Sequence, residues 1–234
     1  MIPAILAFLG LGFLIGQKKA SASPVADPSY PVSIWRALIK KLAPSNLDVE
    51  FVLKWIEVES NGNPCAVGSF KSFGPDGNPL EMGIGQFYNP DDLVRLKLTG
   101  SELRAYCIPG TQRASRVLTP TEMTRQAQAM IDLIKSCQAS ATNDLRNVGA
   151  TWSPRGQDFY KLTKLQHGLP GLPRMGMPAV TKKLGRAPRD WQEFRTTLAS
   201  VKLDSNTEKY RDGFAKILDN AEKTAAVVQE KGKV

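Results

Sequence analysis

Residues 49–64, with the sequence VEFVLKWIEVESNGNP, decide the fold together with the GIGQ turn at residues 83–86. Apolar residues recur every three or four positions along the first stretch, which predicts an amphipathic helix. The buried stripe of this helix consists of Val49, Val52, Leu53 and Ile56. Glu59 continues the stripe by one turn, Glu57 lies on the opposite face, and Gly62 ends the helix. We therefore expect Glu59 to face the core from the last helical turn.

The position of Glu59 favours acid chemistry. A carboxyl group on an apolar helix face keeps its proton to higher pH, because burial disfavours the charged form. We therefore expect the pKa of Glu59 to be raised, as a general acid near neutral pH requires. The alternative is a carboxylate that only caps or pairs at the helix end.

Length and charge restrict the class of protein and of partner. A chain of 234 residues has room for one good-sized domain with appendages, and its net charge of +9 favours anionic partners. Nucleic acid, lipid head groups and an acidic wall polymer all qualify. The basic residues are scattered and no nucleic-acid recognition motif is present, so we expect no specific nucleic-acid binding.

The cysteines leave two interpretations open. Cys65, Cys107 and Cys137 have no paired spacing, and the chain contains one histidine, so we expect neither a structural zinc site nor another cofactor. Either one disulfide and one free thiol or three reduced thiols would fit this pattern.

The N-terminal segment, residues 1–19, is predicted to be a hydrophobic membrane anchor. Residues 2–15 are uncharged and almost wholly apolar, and Lys18 and Lys19 follow them. The run is short for a membrane span, so a signal peptide and a buried helix are the alternatives. Residues 20–31, rich in Pro, Ser and Ala, are expected to be a linker.

The rest of the chain is predicted to be mainly α-helical. Residues 65–88 lack periodicity and form a long loop, with a short hairpin near residues 75–78. Thr119 and Glu122 form a capping box that opens a long helix. The other predicted helices begin near residues 34 and 89 and cover residues 159–165, 191–198 and 210–225, with a Gly/Pro-rich break at residues 167–173.

The Glu59-Ser60 pair, followed by Asn63-Pro64 and then by the GIGQ turn, resembles two signatures of SLT-type lytic transglycosylases. The resemblance implies a lysozyme-like α-rich domain with a long active-site loop, assigned to residues 32–175. Residues 176–234 would then be a helical C-terminal extension. The implied substrate is the glycan strand of peptidoglycan.

The resemblance also implies roles for individual residues. Glu59 would be the general acid and then the base, Ser60 would lie beside it, and Gln86, with the nearby Tyr88, would bind sugar. A third family motif has a Tyr before a Gly, but this chain has Gln166 and His167 before its glycine.

The missing Tyr leaves three expectations open. Gln166 or His167 substitutes in substrate binding, or Tyr160 reaches in from the preceding turn. The sequence alone does not choose among them.

The implied reaction needs a single carboxyl group, because the 6-hydroxyl of the muramic sugar attacks within the substrate and closes a 1,6-anhydro ring. One alternative is a lysozyme-type or chitinase-like hydrolase, in which Asp76 or Glu81 would position a water. Otherwise we expect Glu81 to be an exposed loop residue. The other alternative is a non-catalytic, membrane-anchored wall-binding or virion structural protein.

The expected location is the bacterial cell envelope. Lys18 and Lys19 would keep the domain in the cytoplasm under the positive-inside rule, although peptidoglycan lies outside the membrane. A segment that acts as a signal or inverted anchor despite the two charges would resolve this conflict, and so would a bacteriophage or prophage protein associated with the virion. The C-terminal helices are expected either to pack on the domain or to bind other virion or envelope proteins.

Overall fold

The computed structural model describes residues 30–228, and within this range the protein is mainly α-helical, as predicted. Two short 3-10 helices accompany the α-helices at Val32–Trp35 and Arg211–Gly213. The two strands are β1 (Glu81–Met82) and β2 (Phe87–Tyr88). The helices are α1 (Arg36–Leu42), α2 (Val49–Ser60), α3 (Asp91–Leu96), α4 (Gly100–Arg104), α5 (Pro120–Val148), α6 (Gln157–Gly168), α7 (Gly171–Leu184), α8 (Trp191–Leu198), α9 (Ser205–Glu208) and α10 (Phe214–Ala225).

Helix α5 is the central element of the fold. Its 29 residues correspond to a length of about 44 Å at 1.5 Å per residue. The predicted capping box is present, because Thr119 accepts from the backbone N–H of Glu122 and the Glu122 carboxylate accepts from the N–H of Thr119. The helix continues to Val148, and Gly149 follows it in the left-handed conformation.

A first hydrophobic cluster contains the predicted α2 stripe. Helices α1 and α2, the β hairpin and α3 contribute to it, and α5 supplies residues such as Met130 and Ile134. Phe51, Trp55 and Ile56 of α2 are fully buried there. The strand pair and the last turn of α2 are thereby positioned next to the N-terminal part of α5.

A second hydrophobic cluster joins α6, α7, α8 and α10 to the C-terminal part of α5. Helix α10 packs against both α6 and α2. The C-terminal helices therefore pack on the same body as Glu59, which was one of the two expectations for them.

The boundary between residues 175 and 176 does not separate structural units, because it falls inside α7. The sequence suggested a break shortly before this boundary, at the glycines and prolines of residues 167–173. Pro173, however, lies in the first turn of α7, where a backbone N–H has no intrahelical partner to lose. Pro178 is accommodated further along the same helix.

The long loop after α2 is held by local pairing and by one covalent bond. Glu81 pairs with Tyr88 and Met82 with Phe87 across the GIGQ turn, so this motif forms the hairpin loop. An isolated bridge between Phe73 and Pro79 forms the short hairpin predicted near residues 75–78.

The cysteines form one disulfide and leave one free thiol, which was the first of the two interpretations of the sequence. A disulfide joins Cys65 to Cys107, and Cys137 is a buried free thiol.

The predicted membrane anchor lies outside the described residues, as does nearly all of the linker. Among the helices between residues 30 and 228, none is long and apolar enough to cross a bilayer.

Candidate active site

The end of α2 is shaped by a left-handed turn that presents Glu59. Asn61 and Gly62 have φ values of 53° and 85°. A Cβ atom on Gly62 would lie 2.5 Å from the carbonyl oxygen of Tyr30, so only glycine fits. The indole of Trp35 donates to the Gly62 carbonyl at 2.9 Å. The chain therefore turns sharply just after Ser60 and leaves Glu59 in the last helical turn.

Ser60 connects the two sequence motifs. Its hydroxyl oxygen lies 2.9 Å from the carbonyl oxygens of Ile56 and Ile84 and accepts from the N–H of Gly62 at 3.2 Å. Ser60 is buried, and its polar atom is engaged by backbone groups. The structure places it beside Glu59, as expected, where its hydroxyl group links the end of α2 to the GIGQ turn.

Gln126 of α5 is a second connection between the motifs, and the sequence analysis missed it. Its side-chain oxygen accepts from the N–H of Ile84 at 3.0 Å, and its amide donates to the carbonyl of Pro64 at 3.2 Å and to the hydroxyl of Tyr106. Only 1% of Gln126 is exposed. A signal was present, since Gln126 shares the helical face of Met123 and Met130, and a polar residue on a buried face commonly has a specific partner.

Replacing Gln126 with leucine is expected to lower the free energy of unfolding by about 2–3 kcal/mol, because buried backbone groups of both motifs would lose their partners. Urea denaturation would measure the change. Gln128→Leu is the matched control on the same helix, since Gln128 contacts Asp132 and not the motifs. Equal effects of the two substitutions would show that the bridge does not stabilise the site.

Glu59 faces inward and forms an ion pair with Lys164 of α6. The Glu59 side chain is 18% exposed, and the Lys164 ammonium donates a hydrogen bond to its Oε1 atom. The Lys164 side chain is 6% exposed, and its Nζ atom lies 4.6 Å from the centroid of the Trp55 ring. This pair brings together residues that are 105 positions apart in the sequence.

The pKa of Glu59 is lowered, so the expectation of a raised pKa is wrong. Burial raises the pKa of this carboxyl, but the charge of Lys164, the interaction with His167 and the hydrogen bond from Lys164 together outweigh burial. The helical spacing of α2 revealed the inward face and could not reveal the cation that α6 places there. In this structure Glu59 is an ionised carboxylate at neutral pH.

Three residues of α6, spaced by four and three positions, face α2. Lys164 is the middle one. The ring of Tyr160 contacts that of Phe51 at 4.5 Å between centroids, and its hydroxyl accepts from the backbone N–H of Asp48. Tyr160 therefore packs at the start of α2, so the expectation that it reaches towards Glu59 is wrong.

His167 is the third of these residues and lies close to the ion pair. Its ring centroid is 5.6 Å from that of Trp55, and its Nδ1 atom is 4.0 Å from Oδ2 of Asp92. Burial lowers the pKa of His167, and Lys164 lowers it further, against the opposing influence of Glu59 and Asp92. His167 is therefore neutral at neutral pH and is placed near Glu59, as expected.

Gln166 is not brought to Glu59. It lies on the side of α6 that packs against α5, and its amide donates to Oδ2 of Asp144 at 2.6 Å. The structure therefore does not bring Gln166, which was predicted to bind substrate, together with Glu59. The reason is geometric, because adjacent helical residues differ in direction by about 100° and cannot both face α2.

Glu81 is the second carboxyl group at the site. It is half-buried on β1, so the expectation of an exposed loop residue is wrong. Burial raises the pKa of Glu81 to about 7, and the nearby negative charge of Glu59 contributes. Gly68 makes room for this carboxyl, because a Cβ atom there would lie 2.0 Å from Oε2 of Glu81. Glu59 and Glu81 are called the carboxyl pair below.

Tyr88 and Gln86 belong to the same hairpin as Glu81. Tyr88 is half-buried and lies directly across the strand pair from Glu81. Gln86 is buried in a left-handed conformation with φ of 49°, and its amide donates to the carbonyl of Gly83 at 3.2 Å. The structure thus places Tyr88 beside Glu81, while the Gln86 amide stabilises its own turn.

Asp76 has a local structural role. Its Oδ1 atom accepts from the side-chain amide of Asn89 at 2.6 Å and from the N–H of Asn78 at 3.0 Å. These bonds hold the short hairpin near residues 75–78. Of the two carboxylates considered for a hydrolase, the structure therefore leaves Glu81.

Comparison of the chain with protein-family models, with curated proteins and with solved structures finds no match. In the part of the chain that the structure describes, no group of three or more His, Cys, Asp and Glu side chains could hold a metal ion. A surface cavity of about 530 Å³ lies between α6, α8 and α10, lined by residues that include Asp158, Trp191 and Glu222 but not Glu59.

Proposed function

We propose that the protein is a peptidoglycan lytic transglycosylase that cleaves the β-1,4 bond between N-acetylmuramic acid and N-acetylglucosamine. The observation that carries the proposal is the position of Glu59 in the last turn of α2, largely buried and next to the GIGQ hairpin. The two sequence motifs imply a helix that ends just after Glu59 and is followed by a turn at the GIGQ residues, and this is the arrangement found here. The net charge of +9 suits an anionic wall polymer.

Glu59 acts first as acid and then as base. Its protonated carboxyl gives a proton to the glycosidic oxygen as the bond to the muramic C1 atom breaks. The 6-hydroxyl of the same sugar then attacks C1, and the Glu59 carboxylate removes the hydroxyl proton. No water is consumed, and the enzyme recovers its proton. Because the pKa of Glu81 is raised to about 7, this carboxyl group keeps a proton near Glu59 when the pH is below about 7.

A hydrolase is the second candidate, and the half-buried Glu81 is the observation that favours it. Standard glycosidases use two carboxyl groups, one to protonate the leaving oxygen and one to assist a nucleophile. In this alternative the second carboxyl group would activate a water.

Product analysis separates these functions. We expect the wild-type protein to release muropeptides from purified sacculi with 1,6-anhydro ends, which are lighter by one water than hydrolysis products in mass spectra. Reducing ends would favour the hydrolase. Binding to sacculi without release of muropeptides would support the non-catalytic alternative.

The proposed place of action is the cell envelope outside the cytoplasm. The disulfide between Cys65 and Cys107 supports this location, because disulfides persist mainly in oxidising compartments. Residues 1–19 would anchor the protein to a membrane, and a phage protein carried by the virion would also reach the wall. The surface of α7 to α10 that does not face the core is available for virion or envelope partners.

A further inference from the structure

Lys164 is a buried cation whose role the reaction described above leaves open. Its ammonium group lies between the Glu59 carboxylate and the face of the Trp55 ring. A buried ion pair is costly to desolvate and is poor as a purely stabilising device. The indole N–H of Trp55 is also buried without a hydrogen-bond partner. The buried polar groups around Lys164 are therefore not all hydrogen-bonded, which favours a role for this lysine other than stabilising the fold.

The ion pair opposes the first step of the proposed reaction. A general acid must carry its proton, whereas an ammonium group at hydrogen-bond distance stabilises the carboxylate form. Glu59 can protonate a glycosidic oxygen only after Lys164 has moved away.

We propose that Lys164 is a positioning residue that holds Glu59 as an inactive carboxylate in the free enzyme and releases it when a glycan strand binds. The proposal rests on the proposed function. The long, flexible lysine side chain allows its ammonium group to leave while α6 stays in place.

Several charged or titratable groups surround the ion pair. On α6, burial and Lys164 lower the pKa of His167, and the influence of His167 on the pKa of Glu59 has the same direction as that of Lys164. From β1, Glu81 faces Glu59, and from α5 the protonated thiol of Cys137 faces Lys164. From α3, Asp92 faces His167 and is itself paired with Arg95.

In the release step, the proton that Glu59 gains comes from Glu81, the other member of the carboxyl pair. In the free enzyme below about pH 7, Glu81 carries the proton, and Glu59 carries the negative charge that Lys164 neutralises. When the ammonium group leaves, burial becomes the main influence on the pKa of Glu59 and favours the neutral form of this carboxyl group. The proton then moves from Glu81 to Glu59, so none has to be taken from solvent.

The pH dependence of kinetics tests this proposal with Lys164→Met and Lys164→Arg. Soluble glycan strands freed of peptides serve as substrate. We call the pKa at which a kinetic parameter falls on the alkaline side its alkaline limit. The alkaline limit of kcat/KM gives the pKa of the general acid in the free enzyme, and that of kcat gives its pKa in the enzyme–substrate complex. We expect Lys164→Met to raise the alkaline limit of kcat/KM and to leave that of kcat in place. Above the wild-type limit, kcat/KM should increase about tenfold for each unit of pKa.

Two controls separate release from a structural effect. Lys164→Arg keeps the charge and should keep the wild-type profile. Lys161→Met removes a lysine of the same helix that pairs with Asp158 at 2.9 Å and should also keep that profile. If Lys164→Met shifts the limits of kcat and kcat/KM together, or shifts neither, the release model is wrong.

A titration that needs no turnover separates this proposal from the proposed function. The carboxyl carbon signal of Glu59, assigned by its loss in Glu59→Gln, is followed by NMR against pH. In the wild type it should titrate below the usual range of glutamate, and in Lys164→Met above it. Saturation with chitotriose should move the wild-type titration upwards. A wild type without turnover refutes the function, whereas an unchanged Glu59 titration in Lys164→Met or with chitotriose refutes the release.

Discussion

Replacing Glu59 with glutamine is expected to lower the rate of glycan cleavage by at least about 100-fold, the range typical of losing a general acid. Glutamine has the same shape and can still contact Lys164, but it can neither give nor take a proton in the reaction. The substitution therefore removes the chemistry of the carboxyl group and leaves its packing in place. Release of muropeptides from sacculi would measure the loss.

Glu57→Gln is the matched control for this prediction. Glu57 belongs to the same helix, is 47% exposed and pairs with Lys54 at 2.9 Å. We expect it to retain wild-type activity. If Glu57→Gln abolishes activity and Glu59→Gln does not, the assignment of the site is wrong. Thermal unfolding of both variants would identify any loss that is due to misfolding.

Removing the disulfide is expected to have the largest effect on stability. The bond between Cys65 and Cys107 spans 42 positions, and restricting a loop of that length in the unfolded chain is worth about 4 kcal/mol. Both half-cystines are buried in a small cluster with Tyr30, Tyr106 and Leu118, so their loss also leaves unfilled space.

Denaturation by urea of Cys65→Ala/Cys107→Ala would measure this effect. Reduced wild-type protein should resemble the double variant, and the single variant Cys137→Ala should stay within about 1 kcal/mol of the wild type, because Cys137 forms no disulfide. A double variant as stable as the wild type would mean that the bond does not restrict the unfolded chain as described.

Local signals in the sequence predicted several parts of the site correctly. Helix α2 and the inward direction of Glu59 follow from the spacing of apolar residues within one helix. The start of α5 follows from Thr119 and Glu122, which satisfy each other's backbone groups without help from the rest of the protein. Such features depend on residues a few positions apart, so they can be recognised in a single sequence.

Contacts between distant segments could not be predicted in this way. Lys164 reverses the expected pKa direction of Glu59, and Gln126 joins two motifs from a helix about 40 to 60 positions further on. The choice among Gln166, His167 and Tyr160 depended on which face of α6 meets α2. Periodicity within α6 gives its faces but does not say which neighbour each face meets.

Helix α10 has a consequence for when the site is completed during synthesis. It packs against both α2 and α6, the helices that supply Glu59 and Lys164, and it is the last α-helix in the described chain. Because a chain leaves the ribosome from its N-terminus, the apolar faces that α10 covers stay open until residues 214–225 have emerged. The nascent chain therefore carries both motifs long before it carries a finished site, and any activity of the site would appear only after α10 has been made.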